Sequence, residues 1–179
     1  MEKIKVHLKP WPDPNLPAIE ITGTVERRVD ILSMEYYISG SLMDLEIPVP
    51  NNSPERRIAL WEHTCLEFFI GEPGLSRYWE FNLSPSGDWN VFRFEEYRQG
   101  LFEEMAFSEL PLYVVQETSK NFLLKLEWDL ERIFGPGKVL EMAVTAVIKT
   151  KSGRETMWAL SHPGSSPDFH HRKGFLIRL

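Results

Sequence analysis

Apolar and polar residues alternate with period two along most of this chain, the spacing of strands that bury one face. Over 62–71, Thr64, Leu66, Phe68 and Ile70 share one face, and His63, Cys65 and Glu67 share the other. Over 78–84, Trp79, Phe81 and Leu83 lie opposite Tyr78, Glu80, Asn82 and Ser84. Over 122–128, Phe122, Leu124, Leu126 and Trp128 lie opposite Leu123, Lys125 and Glu127. The same pattern predicts strands over 3–8, 18–28, 31–40, 89–96, 112–117, 139–149, 155–161 and 174–179. The apolar faces of the three sharpest segments form the expected core: Leu66, Phe68, Ile70, Trp79, Phe81, Leu83, Leu124, Leu126 and Trp128.

Turn chemistry punctuates these segments. Ser84-Pro85-Ser86-Gly87-Asp88 combines a preset proline φ, a glycine and a backbone-bonding carboxylate, and predicts a tight turn. The polar break over 118–121 predicts a hairpin. One short helical turn is expected over 129–134, capped by Asp129 and stopped by Gly135-Pro136-Gly137, and another within 99–108. Many short strands with little helix predict an all-β fold, an antiparallel β-sandwich, with a barrel as the other way to close the sheet. No repeat or linker divides the chain, so one domain over 1–179 is expected.

Charge and cysteine usage narrow the function classes. A net charge of −6 opposes nonspecific binding to nucleic acid or to an anionic membrane. No apolar run approaches the roughly 20 residues of a membrane-spanning helix. The first ten residues alternate charge with apolar side chains and lack a signal-peptide core, and Cys65 has no partner for a disulfide. A cytoplasmic location is the expectation.

Candidate chemistry gathers on the polar face. Glu67, Glu80 and Asn82, with Arg93 one strand away and Trp61 and Trp89 at the flanks, suit a sugar. Rings cover the apolar faces of a pyranose, and carboxylate, amide and guanidinium groups bind its hydroxyl rim. The bland alternative is a cross-strand charge network on a solvated sheet, each pair contributing about 0.2–1 kcal/mol. Two carboxyls on neighbouring strands also raise glycoside hydrolysis. His162, His170 and His171 sit in or beside the loop over 161–172; a metal site there competes with a purely structural role, in which Phe169 plugs the loop. Cys65, beside Glu67, is expected to be a small buried apolar residue rather than a thiolate.

The runs over 60–71 and 78–94, including Tyr78-Trp79-Glu80-Phe81-Asn82-Leu83-Ser84-Pro85-Ser86-Gly87-Asp88-Trp89-Asn90, resemble the DOMON-like domains, which are similar to carbohydrate-binding module family 9. Met157-Trp158-Ala159-Leu160-Ser161-His162-Pro163-Gly164, with Pro167-Asp168-Phe169-His170, resembles the closing segment of bacterial members. The resemblance implies an immunoglobulin-like or jelly-roll β-sandwich that binds a ligand without catalysis. It assigns Trp61 as one clamp ring, Glu67 as the strand carboxylate and Arg93 as the following arginine, and leaves the second ring to Trp158 or Phe169. It implies no obligatory cofactor, with haem as a rival ligand to sugar; His63, Met34, Met43, Met142 and Met157 are the residues with iron-binding chemistry. The expected partner is therefore a carbohydrate or a sugar-containing small molecule, with no catalytic residue. A protein-docking module using sheet edges or loops is the alternative from another class.

Overall fold

The computed structural model describes residues 3–109, 112–118 and 120–179, with backbone alone over 112–118. Among these residues are twelve strands: β1 (Ile4–Pro10), β2 (Ile19–Arg28), β3 (Ile31–Gly40), β4 (Cys65–Gly71), β5 (Tyr78–Leu83), β6 (Trp89–Phe94), β7 (Phe102–Glu103), β8 (Leu112–Thr118), β9 (Asn121–Asp129), β10 (Glu141–Lys149), β11 (Glu155–Ala159) and β12 (Ile177–Arg178). One helical turn, α1 (Glu131–Phe134), follows β9. Asp129 Oδ1 accepts from Glu131 N at 2.9 Å, and Gly135 ends the turn at φ 73°. The turn expected within 99–108 is instead organised around β7, which pairs with β6. β8 and β9 pair as an antiparallel hairpin; Ser119, in the turn expected between them, lies outside the described residues.

The strands join in the order β7-β6-β5-β4-β10-β11-β1-β2-β3-β9-β8, every named pair antiparallel, with β12 beside the start of β10. The path doubles back at β1. Ile4–Leu8 pair with β2, and Lys9 and Pro10 pair with β11. The two halves therefore face each other as a β-sandwich. Contacts across the layers follow: Trp128 of β9 lies 4.5 Å from Phe81 of β5 and 6.3 Å from Phe68 of β4. The Tyr36 hydroxyl of β3 donates to Glu67 O of β4. All nine expected core residues sit in this one apolar cluster.

The two layers differ on their outer faces. β3 alternates buried and partly exposed positions along its length, as a half-solvated strand does. β4 and β5 are buried at every residue. The segment after β11 explains this. It crosses the outer face of β4 and β5 and places Phe175 6.1 Å from Phe69 and 6.0 Å from Tyr78. Arg172 anchors it, with Nη2 donating to Glu72 O at 2.9 Å and its guanidinium 4.4 Å over the Phe175 ring. A second, smaller apolar cluster results, built on Phe69, Tyr78, Phe92, Phe94, Ala143 and Phe175. The polar face is thus a buried layer rather than a solvated surface.

Candidate functional site

Between that outer face and the C-terminal segment lies a cavity of about 410 Å³. Glu67 and Glu80 line it from the sheet, Phe69 and Phe94 beside them. Trp61 and Phe169 line it as well, both partly buried against the second cluster. Trp61 belongs to a 3-10 turn over Leu60–Glu62, set by Ala59 in a left-handed conformation at φ 60°. Its ring meets Phe92 edge-on at 5.8 Å.

Strand register explains the carboxyl pair. Glu67 stands opposite Asn82, and Glu80 stands opposite Phe69. The two glutamates are diagonal neighbours on one face, with backbones about 7 Å apart. Asn82 Nδ2 donates to Glu80 Oε1 at 2.8 Å, and Asn82 Oδ1 is 3.7 Å from the Cys65 thiol. Glu67 is 3% exposed, and its Oε1 has no hydrogen-bond partner among the described residues. An orphaned buried acceptor of this kind costs about 1–3 kcal/mol, and more when charged.

Burial, and then the charge of Glu80, push the Glu67 carboxyl well above the usual carboxylate range, against the opposing effect of the Cys65 thiol. Burial pushes Glu80 up to about 7, while the Asn82 hydrogen bond and the Arg98 charge pull the other way. Burial, and then Glu67, hold the Cys65 thiol protonated. The opposite wall carries His170, whose Nε2 is 3.8 Å from Glu80 Oε2. Its Nδ1 is 2.8 Å from the Tyr78 hydroxyl, which also accepts from Arg98 N at 3.1 Å. In the tautomer protonated at Nε2, the phenol donates to His170 Nδ1 and Nε2–H faces Glu80. Burial, and then the Arg98 charge, lower the imidazole to about 4, so it is neutral at pH 7. Arg98 is itself held by Asp168, Nη2 to Oδ1 at 2.9 Å, and Tyr97 donates to the other oxygen at 2.6 Å.

The structure brings Trp61, Glu67, Glu80 and Phe169 to one cavity, with Asn82 bonded beneath. It places the other named residues elsewhere. Trp89 pairs with Leu83 and points into the main core, with the Arg56 guanidinium 4.4 Å over its ring. Arg93 pairs with Trp79 on the same phase, away from the cavity, and meets Glu95 at 3.0 Å. Both are odd-numbered residues of β6, whose even positions Phe92 and Phe94 face the second cluster. Trp158 also points into the main core, its Nε1 donating to Thr156 Oγ1 at 3.0 Å. Its neighbour Met157 lines the cavity instead. His63 leaves the expected face because β4 begins only at Cys65; its ring meets Glu46 at 2.6 Å.

Phe69, Phe94, Arg98 and His170 were not singled out for this site by sequence. Phe69 shares strand phase with Glu67, so that signal was present. Nothing local marks His170 as a neighbour of Glu80, ninety residues away. The three loop histidines disperse: His162 Nε2 donates to Lys9 O at 2.9 Å, and His171 Nδ1 accepts from Lys173 N at 3.2 Å. Among the described residues, no three His, Cys, Asp or Glu side chains are grouped to hold a metal ion. Of the residues with iron-binding chemistry, Met34 and Met142 are core residues, Met43 is on the surface, and His63 meets Glu46. Met157 lines the cavity, where the one imidazole among the described lining residues, His170, is bonded to Tyr78 and faces Glu80.

No protein-family model matches the chain, and no curated protein matches it. Among solved structures, it is similar to a candidate carbohydrate-binding protein from Bacteroides uniformis, at 14% identity and TM-score 0.64, over 95% of this chain and 84% of that one. It is also matched to a carbohydrate-binding module family 9 from Caldicellulosiruptor kristjanssonii in complex with glucose, at 10% identity and TM-score 0.47, over 85% of this chain and 72% of that one. A carbohydrate-binding module family 9 from the same organism in complex with cellotriose matches at 10% identity and TM-score 0.46, over 89% of this chain and 75% of that one. At 14% identity the Bacteroides match establishes a shared fold, the antiparallel β-sandwich described above.

Proposed function

We propose that the cavity binds a sugar or a sugar-containing metabolite and does not transform it. The observation that carries this reading is the buried, unpartnered Oε1 of Glu67, a residue that lines the cavity together with Trp61 and Phe169. Aromatic faces match the C–H patches of a pyranose, and polar groups inside the cavity suit its hydroxyls. Glu67, held protonated by burial, offers one donor and one open acceptor; Glu80 Oε2 offers a second acceptor. The similarly folded Bacteroides protein, described as a candidate carbohydrate binder, supports the same direction. Arg93, Trp89 and Trp158 have no part in this proposal, since none lines the cavity.

The test is a tryptophan-fluorescence titration against monosaccharides, disaccharides and nucleotide sugars. A binding sugar is expected to shift the emission of the wild type. Trp61→Ala is expected to weaken that binding by on the order of tenfold or more while leaving the melting temperature nearly unchanged. The second expectation follows from the position of Trp61, partly exposed and outside the main core. Equal affinity in Trp61→Ala and wild type would remove the ring from the site.

The carboxyl pair favours a second reading, glycoside hydrolysis, because buried acids with raised pKa mark many catalytic clefts. Such enzymes need one protonated and one ionised carboxyl about 5–10 Å apart. Here burial pushes both groups upward, which opposes the ionised partner and ranks this reading second. Release of reducing sugar by the wild type and its loss in Glu80→Gln would reverse that ranking.

A further inference from the structure

The cavity holds more acid than base. Glu67, Glu80 and Glu155 line it, and Arg98 is the one cation among its described lining residues. That guanidinium is already engaged by Asp168 and lies 5.9 Å from the Tyr97 ring. Glu155 sits at the rim, 43% exposed and 3.9 Å from Lys149 Nζ. Among the described residues neither buried carboxyl forms an ion pair with a lysine or arginine, although Glu80 feels the Arg98 charge from a distance. Glu80 Oε1 accepts from Asn82 Nδ2, its Oε2 meets the His170 ring at 3.8 Å, and Glu67 Oε1 has no hydrogen-bond partner among the described residues. The other titratable neighbours are no help. Cys65 and Tyr78 are neutral at pH 7, the thiol raised by burial and the phenol pushed up by burial to about 12.

Rings complete the surroundings. Phe69, Phe94, Trp61 and Phe169 all line the same space. Aromatic faces carry negative potential and attract cations, most strongly where water is excluded. Two carboxyls that no cation neutralises, beside an aromatic wall, suit a positive charge. A neutral ligand meets these carboxyls in their protonated form, because an ionised buried carboxyl with no cation beside it is costly. An ammonium group has three donors and no acceptor, which matches Glu67 Oε1 and Glu80 Oε2 directly.

We infer that the preferred ligand is a sugar bearing a protonated amine, with its ammonium between the Glu67 and Glu80 carboxyls and its ring beside Trp61 and Phe169. This rests on the sugar-binding reading and narrows it to a substrate class. The ammonium ion favours the ionised form of both carboxyls. Burial favours their protonated form in the free protein. Binding therefore expels a proton to solvent.

Calorimetry on the whole chain tests this with matched pairs: glucose and glucosamine, galactose and galactosamine, mannose and mannosamine, each at pH 7. In at least one pair the amine is expected to bind about tenfold tighter or more, and the gap is expected to shrink to about threefold or less in Glu67→Gln. The Glu67→Gln variant keeps the shape and removes the charge, and its melting temperature reports that it is folded. Repeating the titration in buffers of different ionisation enthalpy is expected to show proton release with the amine and none with the hydroxyl sugar. Equal or weaker binding of the amine in every pair overturns the inference while leaving sugar binding in place. An unchanged gap in folded Glu67→Gln also overturns it. Absence of binding by every sugar in the panel overturns both.

Discussion

Replacing Phe81 with alanine is expected to cost about 3–5 kcal/mol of stability, as truncation of a fully buried aromatic does. Phe81 has no exposed surface and joins the two layers. Its ring stacks on Phe68 of the adjacent strand at 4.3 Å and 10°, and meets Trp128 of the opposite layer at 4.5 Å. Phe107, in the segment after β7, closes a further side at 6.0 Å. The neighbours are rings held on separate strands, so they relax into the hole only partly. The cost therefore includes the lost burial of the ring and a residual cavity. For a chain of this length each kcal/mol lowers the melting temperature by roughly 2–4 °C. A thermal melt of Phe81→Ala within about 2 °C of the wild type would contradict the packing described here.

The second large effect is electrostatic. Glu80→Gln is expected to stabilise the protein at pH 8 by on the order of 3 kcal/mol, with little effect at pH 4. Glu80 titrates at about 7 in the fold, against 4.5 for the same group in an unfolded chain, because burial disfavours its charge. The sign follows from that direction. The folded state holds the proton more tightly, so the contribution is fully present below pH 4.5 and is lost as pH rises through about 7. Each factor of ten in the acid constant is about 1.4 kcal/mol. Removing the Glu80 charge also eases ionisation of Glu67, which acts in the same direction. The amide keeps the oxygen that accepts from Asn82. His170 opposes this slope in the wild type. Its imidazole is lowered from 6.5 to about 4, so its contribution is lost as pH falls through that window. Glu35, held near 2 by Lys125 against the cost of burial, loses its contribution in stronger acid. The difference between variant and wild type cancels the distant Glu35 contribution; His170, beside Glu80, titrates below it, so urea melts at pH 7–8 read the Glu80 effect. A Glu80→Gln protein less stable than the wild type at pH 8 would show that the carboxylate is paired after all.

Much of the sandwich was legible because strand period is a local signal. Once Phe68 and Phe81 share the inward phase, Glu67 and Glu80 must share the outward one. The same rule, carried one strand further through the Ser84–Asp88 turn, turns Trp89 and Arg93 inward with Leu83 and Trp79; aromatic and charged character had suggested otherwise. Trp158 fails for the same reason, since Met157 takes the outward phase of β11. Strand ends were less legible. The strand predicted over 62–71 begins only at Cys65, because Glu62 ends a 3-10 turn that starts after the left-handed Ala59, a conformation that alanine does not advertise. What sequence left hidden is the cover on the polar face. It depends on Arg172 reaching Glu72 and on Phe175 meeting Phe69, contacts about a hundred residues apart in the chain, and on Arg172 reaching Glu141. That cover turns a row of polar residues into two buried carboxyls, and with them the candidate site.

The most direct measurement is a crystal structure of the protein with the sugar that binds best in the titrations. The account predicts a pyranose beside the Trp61 and Phe169 rings, with a polar ligand atom within about 3 Å of Glu67 Oε1. A sugar ordered elsewhere would contradict it, for example in the groove lined by Trp79, Arg93 and Arg132, with Glu67 Oε1 still lacking a partner.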